Sequence, residues 1–359
     1  KYLGKLRYQD GFPSDDTVER TYDFLDTSRA VELYLNAIPV ASMYGMLNGH
    51  ADIGFEPNHT VGITESLMNA RSLWLTPQTT TPYVTAEVDV REGPVVIELK
   101  TPVIGILDDA FFRYVADLGM GGPDKGKGGR YLIVGPDYEG EIPDGYFVFR
   151  TRTYRHWLLI RVVSQPGQTR EAIGDFKRSF RLYPLEEAGD PRPNTFVDLS
   201  SRQYSTNHAA DADLFADLNA GIQYEPAVAY DPELAGLAAA IGIKKGEPFA
   251  PDARMQKILE EAATIGNAAA RSITFRPRDR SVFFYEDRQW YSPLAGGSHE
   301  FYHQGARVLD DRIMFHFYAT GVTPFMVSPR VGAGSVYEIG ASDVNGDPLD
   351  GGRSYSVTL

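Results

Sequence analysis

The stretch Ser-His-Glu-Phe-Tyr-His-Gln-Gly, residues 298–305, carries the most specific chemical signal in the chain: His299, Glu300 and His303 spell H-E-x-x-H. On a helix this spacing stacks two imidazoles one turn apart, where they hold zinc, with a carboxylate beside them to activate water. The surroundings weaken that reading. Ser298 stands where it would cap a helix beginning here, so the ligands would fall in a first turn, at the positive end of the helix dipole. The extended zinc pattern needs glycine at 306 and histidine at 309, where the chain has Ala306 and Leu309. The expectation is therefore a capped helix start with no metal or other cofactor. Zinc on His299, His303 and His316, with Glu300 as base, is the alternative.

Two further motifs are incomplete. Gly121 to Lys127 fits G-x-x-x-x-G-K, but Gly128 follows where a phosphate loop needs Ser or Thr, and a strand pattern follows instead of a helix. A hairpin loop is expected there. Asp343, Asn345 and Asp347 have calcium-loop spacing, but Pro348 replaces the turn glycine and Ser354 the bidentate glutamate, leaving a β-turn. Neither G-x-S-x-G nor S-x-x-K occurs. With no cysteine, thiol catalysis, disulfides and thiolate metal sites are excluded.

Aromatic side chains are abundant, with 21 Tyr, 19 Phe and 3 Trp. On a β-sheet face they stack on sugars or apolar ligands. The candidate ligand-binding residues are Trp74, Tyr83, Tyr131 and Trp157, joined by Arg113, His156 and Arg161, provided a pocket gathers them.

The elements that must position these residues follow from periodicity. Residues 14–48 are helical: Val18, Tyr22 and Leu25 mark a first helix, and Val31, Tyr34, Leu35 and Ile38 a second from about Thr27, kinked at Pro39. From Tyr83 to Val163 the period is two, with turn residues between most runs, as in an antiparallel sandwich or barrel. Residues 169–270 return to helical stripes, such as Ala172, Ile173, Phe176 and Phe180. Strands are expected again in Arg312–Thr320, 334–343 and 353–359. The division is a helical segment 1–75, a β-sandwich 76–168, a helical connection 169–305, and the start of a second β domain 306–359. The fold class is α+β: two antiparallel, jelly-roll-like sandwiches joined and flanked by helices.

A formal charge of -13 argues against nucleic acid as a partner, and the arginine-rich stretch at 271, 276, 278 and 280 reads as a solvated loop. No run reaches the ~18 apolar residues of a membrane span, so an integral membrane protein is not expected. Lys1 stands where an upstream piece such as a signal peptide would precede it, and the last strand pattern is expected to continue beyond Leu359.

Two long phrases, Leu73–Lys100 and Gly128–Val162, resemble the DUF1254 domain family, and Gly305–Tyr355 resembles the opening of the DUF1214 domain that usually follows it. The resemblance covers about residues 30–165 and 305–359. It implies a β-sandwich, a helical connection and a second, jelly-roll-like domain in a bacterial and often exported protein. It transfers no catalytic residue. The family tends to show T-P-N-x-D-T where this chain has Thr76-Pro77-Gln78-Thr79-Thr80-Thr81, so the acidic position is lost at Thr80. The expected compartment is the periplasm or the exterior, and an absence of cysteine fits the cytoplasm equally well. The expected function is binding or hydrolysis of a small amphiphilic or saccharide ligand in a cleft between β domains. The alternatives are a zinc hydrolase and a non-enzymatic envelope component, with a homo-oligomer compatible with each.

Overall fold

The computed structural model describes residues 3–69, 71–294, 297–327 and 337–357. A short hairpin, β1 (Tyr8–Gln9) and β2 (Phe12–Pro13), leads into the long helix α1 (Asp15–Asp52). Ser14 caps it by accepting from the Thr17 N–H, and Asp15 and Asp16 complement the dipole. The expected break near Thr27 does not occur. The Thr27 and Ser28 hydroxyls turn back onto the Asp23 and Phe24 carbonyls at 2.8 and 2.7 Å, so they serve the helix interior instead of capping a new one.

The β region comprises β3 (Thr60–Ile63), β4 (Tyr83–Asp89), β5 (Val95–Leu99), β6 (Val103–Asp109), β7 (Tyr114–Gly119), β8 (Gly129–Val134), β9 (Phe147–Arg150) and β10 (Arg155–Val162). Helix α2 (Thr169–Ser179) and strands β11 (Arg181–Pro184) and β12 (Thr195–Asp198) complete it. One sheet has the order β12-β3-β4-β10-β6-β7, the other β11-β5-β8-β9. Val84, Ala86, Leu158 and Ile160 of the first share an apolar core with Val95, Ile97 and Ile133 of the second. Pairing is mostly antiparallel, but β12–β3 and β8–β9 are parallel. In β6 Gly105 and the adjacent Asp108 and Asp109 dilute the alternation, and ladders to β10 and β7 on its two edges secure it. The glycine-rich loop after β7 is not a hairpin, since β7 and β8 belong to different sheets.

Helices α3 (Asp213–Tyr224), α4 (Pro232–Ala240) and α5 (Ala253–Phe275) pack with α1 around a second core that includes Leu33, Tyr34, Phe215, Leu218 and Leu259. The C-terminal half of α1 lies on the outer face of the six-stranded sheet, where Met43, Met46 and Leu47 meet Ile106 and Trp157. At Gly49 the 204–208 segment comes so close that a Cβ would sit 2.1 Å from the Ser205 carbonyl oxygen.

The remaining elements are β13 (Trp290–Tyr291), β14 (Tyr302–His303), β15 (Ala306–Arg307), α6 (Leu309–Tyr318), α7 (Pro324–Val327) and β16 (Ile339–Gly340). Two expectations fail here. Ser298 caps no helix: its hydroxyl accepts from the Glu300 and Tyr302 N–H groups, closing a turn. His303 and Ala306 then pair across Gln304-Gly305, both at positive φ as in a type I′ hairpin. The expected strand from Arg312 is mostly α6, which buries Ile313, Met314, Phe315 and His316. Its Ile-Met-Phe-His-Phe-Tyr run is too uniformly apolar for periodicity to separate strand from helix. Residues 306–327 thus hold β15, α6 and α7, and the described part of the 334–343 strand holds only β16. Residues 334–336, 358 and 359 of the expected strands lie outside the described residues, and 353–357 are irregular. Among the described residues the chain is a mixed α and β structure with seven α-helices and several predominantly antiparallel sheets, and no helix is long and apolar enough to cross a membrane.

Candidate ligand-binding cleft

Strand register alone builds a surface on the outer face of the six-stranded sheet. Arg161 of β10 pairs with Tyr83 of β4 and Ile104 of β6. Two residues along, Leu159 pairs with Thr85 and Ile106, and Ile106 in turn with Asp117 of β7. Two further, Trp157 pairs with Glu87 and Asp108. Alternate residues of a strand share a face, so these three rows carry the polar and aromatic side chains while their neighbours fill the core between the sheets.

Rows one and two floor a cleft of about 120 Å³, room for roughly ten water-sized groups. Its roof comes from Trp74 to Pro77 and from Phe315, Tyr318 and Thr320–Thr323 around α6. The Trp74 indole donates to the Tyr204 hydroxyl at 2.8 Å, the Trp157 indole to Thr85 Oγ1 at 2.7 Å, and the Tyr83 hydroxyl accepts from the Gln78 N–H at 3.2 Å. These bonds fix three rings that enclose the cleft. Thr76 and Pro77 line the cleft, and just beyond them the Thr80 hydroxyl donates to Gln78 Oε1 at 2.6 Å.

Two carboxyls accompany the rings. Asp117 lines the cleft, and burial pushes it up to about 6 against the opposing pull of the Thr323 hydroxyl. Asp108 lies beneath Gly321, is 0 % exposed, and has no hydrogen-bond partner on either oxygen. Burial first, then the neighbouring Asp109, raises it well above the usual carboxylate range, against the opposing pull of the Val322 N–H. Arg161 lines the same cleft, half-buried, and forms no ion pair among the described residues.

Of the residues selected from sequence, Trp74, Tyr83, Trp157 and Arg161 line this one cleft. Tyr131 and His156 do not. Tyr131 is fully buried, and its hydroxyl donates to Asp124 at 2.6 Å, pinning the loop that crosses between sheets. His156 is buried against Thr151 Oγ1 at 2.8 Å and the Val88 carbonyl at 3.2 Å, and burial lowers its pKa. Arg113 is held by Asp109 at 2.7 Å and the Ala229 carbonyl at 3.0 Å and lines a different, larger cavity. His299, Glu300 and His316 line that cavity too, while His303 sits on the exposed β14–β15 hairpin. His316 is stacked on Phe112, and burial holds its pKa down to about 3. Among the described residues no three His, Asp or Glu side chains gather as metal ligands, so the triad at 299, 303 and 316 does not assemble.

Sequence reasoning missed Asp108, Asp117 and the 320–323 turn. The available signal was a single carboxylate, Asp117, within the otherwise apolar run Tyr-Val-Ala-Asp-Leu.

A family model described as a protein of unknown function, DUF1254, matches residues 58–184, which span nine of the ten strands of the two large sheets. No curated protein matches the chain. Among solved structures it is similar to the VPA0106 protein from Vibrio parahaemolyticus, with 13% identity and a TM-score of 0.54, covering 72% of this chain and 62% of that one. This chain thus spans less than two thirds of that protein's length. A putative uncharacterized protein from Burkholderia cenocepacia matches at 12% identity and a TM-score of 0.27, over 74% of this chain and 55% of that one. The first likeness is one of fold.

Proposed function

We propose that the cleft binds a small amphiphilic or saccharide-like ligand of single-ring size and hydrolyses an ester within it. The observation that carries this reading is Asp117, a carboxyl pushed by burial up to about 6, inside an aromatic-walled cleft that also holds Arg161, which forms no ion pair among the described residues. Above about pH 6 Asp117 is ionised and takes a proton from water as the water oxygen attacks the ester carbon. The carbonyl electron pair moves to its oxygen, where the Arg161 guanidinium is the available counter-charge. Collapse of the tetrahedral intermediate expels the alcohol, which recovers the proton from Asp117. Glycoside cleavage ordinarily needs two carboxyl groups flanking the bond, and among the described residues Asp117 is the one carboxylate that lines the cleft; this favours an ester. We also read residues 305–359 as DUF1214-like on their sequence.

The test is turnover of p-nitrophenyl acetate against p-nitrophenyl glucoside. The ester is expected to be hydrolysed and the glucoside left intact, with Asp117→Asn lowering the ester rate about 10²–10⁴-fold while thermal unfolding is retained. Equal rates in wild type and Asp117→Asn refute the assignment.

A further inference from the structure

The larger cavity, of about 370 Å³, lies between α1, the β6–β7 turn, α4 and α6. Phe112 and His316, stacked at 5.6 Å, also line it, and Phe112 packs edge-on against Trp157 of the cleft at 5.8 Å. Phe112 thus stands in the wall between the two spaces. Pro39, Phe111, Leu234 and Leu237 supply further apolar lining.

Among the described residues, two cations of this cavity stand within salt-bridge distance of no carboxylate, although Glu32 and Asp231 lie near enough to oppose part of the burial effect on Arg312. Arg312 of α6 is half-buried, bonds only to the neutral Asn36 Oδ1, and leaves its Nε without a partner. Arg307 of β15 lies over the Tyr302 ring at 4.9 Å and donates to its hydroxyl at 3.0 Å. Neither forms an ion pair among the described residues, in a chain of net charge -13. Burial, and next the Arg307 charge, pushes Arg312 down to about 10, so the two guanidiniums repel each other. Arg113, by contrast, is ion-paired with Asp109 at 2.7 Å.

We propose that this cavity is a second binding site, for an organic carboxylate with an apolar body. A carboxylate matches the planar guanidinium fork of Arg312 and fills its empty Nε valence. The apolar wall receives the rest of the molecule. Glu32, Asp231, Glu233 and Glu300, all exposed at the rim, repel a multiply charged anion and so favour a monocarboxylate over phosphate.

Isothermal titration of the full chain with 4-phenylbutanoate, its amide and inorganic phosphate tests this. The carboxylate should bind saturably, with amide and phosphate about tenfold or more weaker. Arg312→Gln should reduce carboxylate affinity to that of the amide, Arg312→Lys should restore part of it, and Arg178→Gln on α2 should change nothing. If Arg312→Gln fails to fold, the exposed Arg307→Gln carries the test with a severalfold loss. Equal binding of carboxylate and amide, tighter binding of phosphate, no saturable carboxylate binding at millimolar concentration, or carboxylate affinity unchanged in the arginine variants overturns the proposal.

Discussion

At Glu225, immediately after α3, three donors converge: the Tyr44 hydroxyl at 2.9 Å and the Tyr154 and Arg155 N–H groups at 2.6 and 3.2 Å. Burial nonetheless pushes this carboxyl up to about 7. Glu225→Gln turns an NH₂ toward a donor and should cost about 1–3 kcal/mol, read from the urea midpoint; an unchanged midpoint would contradict the pairing. Single residues were legible by type more than by direction. His156 and Trp157 are adjacent and both attractive, yet strand parity sends them to opposite faces. With Leu158, Leu159 and Ile160 apolar on both sides, the pattern does not say which face is the inter-sheet core and which carries the cleft.

Among elements, the β4 pattern was readable because its alternation survives burial, β10 was readable as an apolar run, and the β14–β15 hairpin lay in Gln304-Gly305 but was overshadowed by H-E-x-x-H. Helix α6 was hidden by its apolar uniformity, although Asp310 and Asp311 mark a helix first turn. The turn after α6 closes the cleft through Gly321, at φ 74, where a Cβ would lie 2.4 Å from Ile106 Cδ1 and 3.2 Å from Asp108 Oδ2. Gly321→Ala should therefore destabilise by about 1–3 kcal/mol and weaken ester turnover, through both left-handed strain and the displaced floor. A variant matching wild type in unfolding and turnover would show that this turn does not close the cleft.

Across the whole molecule, α1 ties the outer face of the six-stranded sheet to the helical core, so groups trapped between them respond together to pH. Burial raises Asp108, Asp117, Glu87 and Glu225, the last two to about 7. Each favours its proton in the fold, so its stability is present at low pH and is lost as pH climbs through the raised value. Burial lowers His50 and His316 to about 3, and their contribution is lost as pH falls below their ordinary value near 6.5. With four such carboxyls losing stability from about pH 4 upward against two such imidazoles gaining it, thermal midpoints should therefore peak at about pH 4.5 and decline as pH rises to about 7. Asp108→Asn should flatten that decline; a midpoint that rises steadily from about pH 5 to 7, or an Asn variant with an undiminished slope, would contradict the buried-acid reading. The pH profile of p-nitrophenyl acetate hydrolysis in wild type and Asp117→Asn tests the central claim most directly. The cleft predicts a kcat/KM that rises through an inflection near 6 and is lost in the Asn variant. An absence of ester turnover in wild type, or the same inflection and rate in Asp117→Asn, would contradict it.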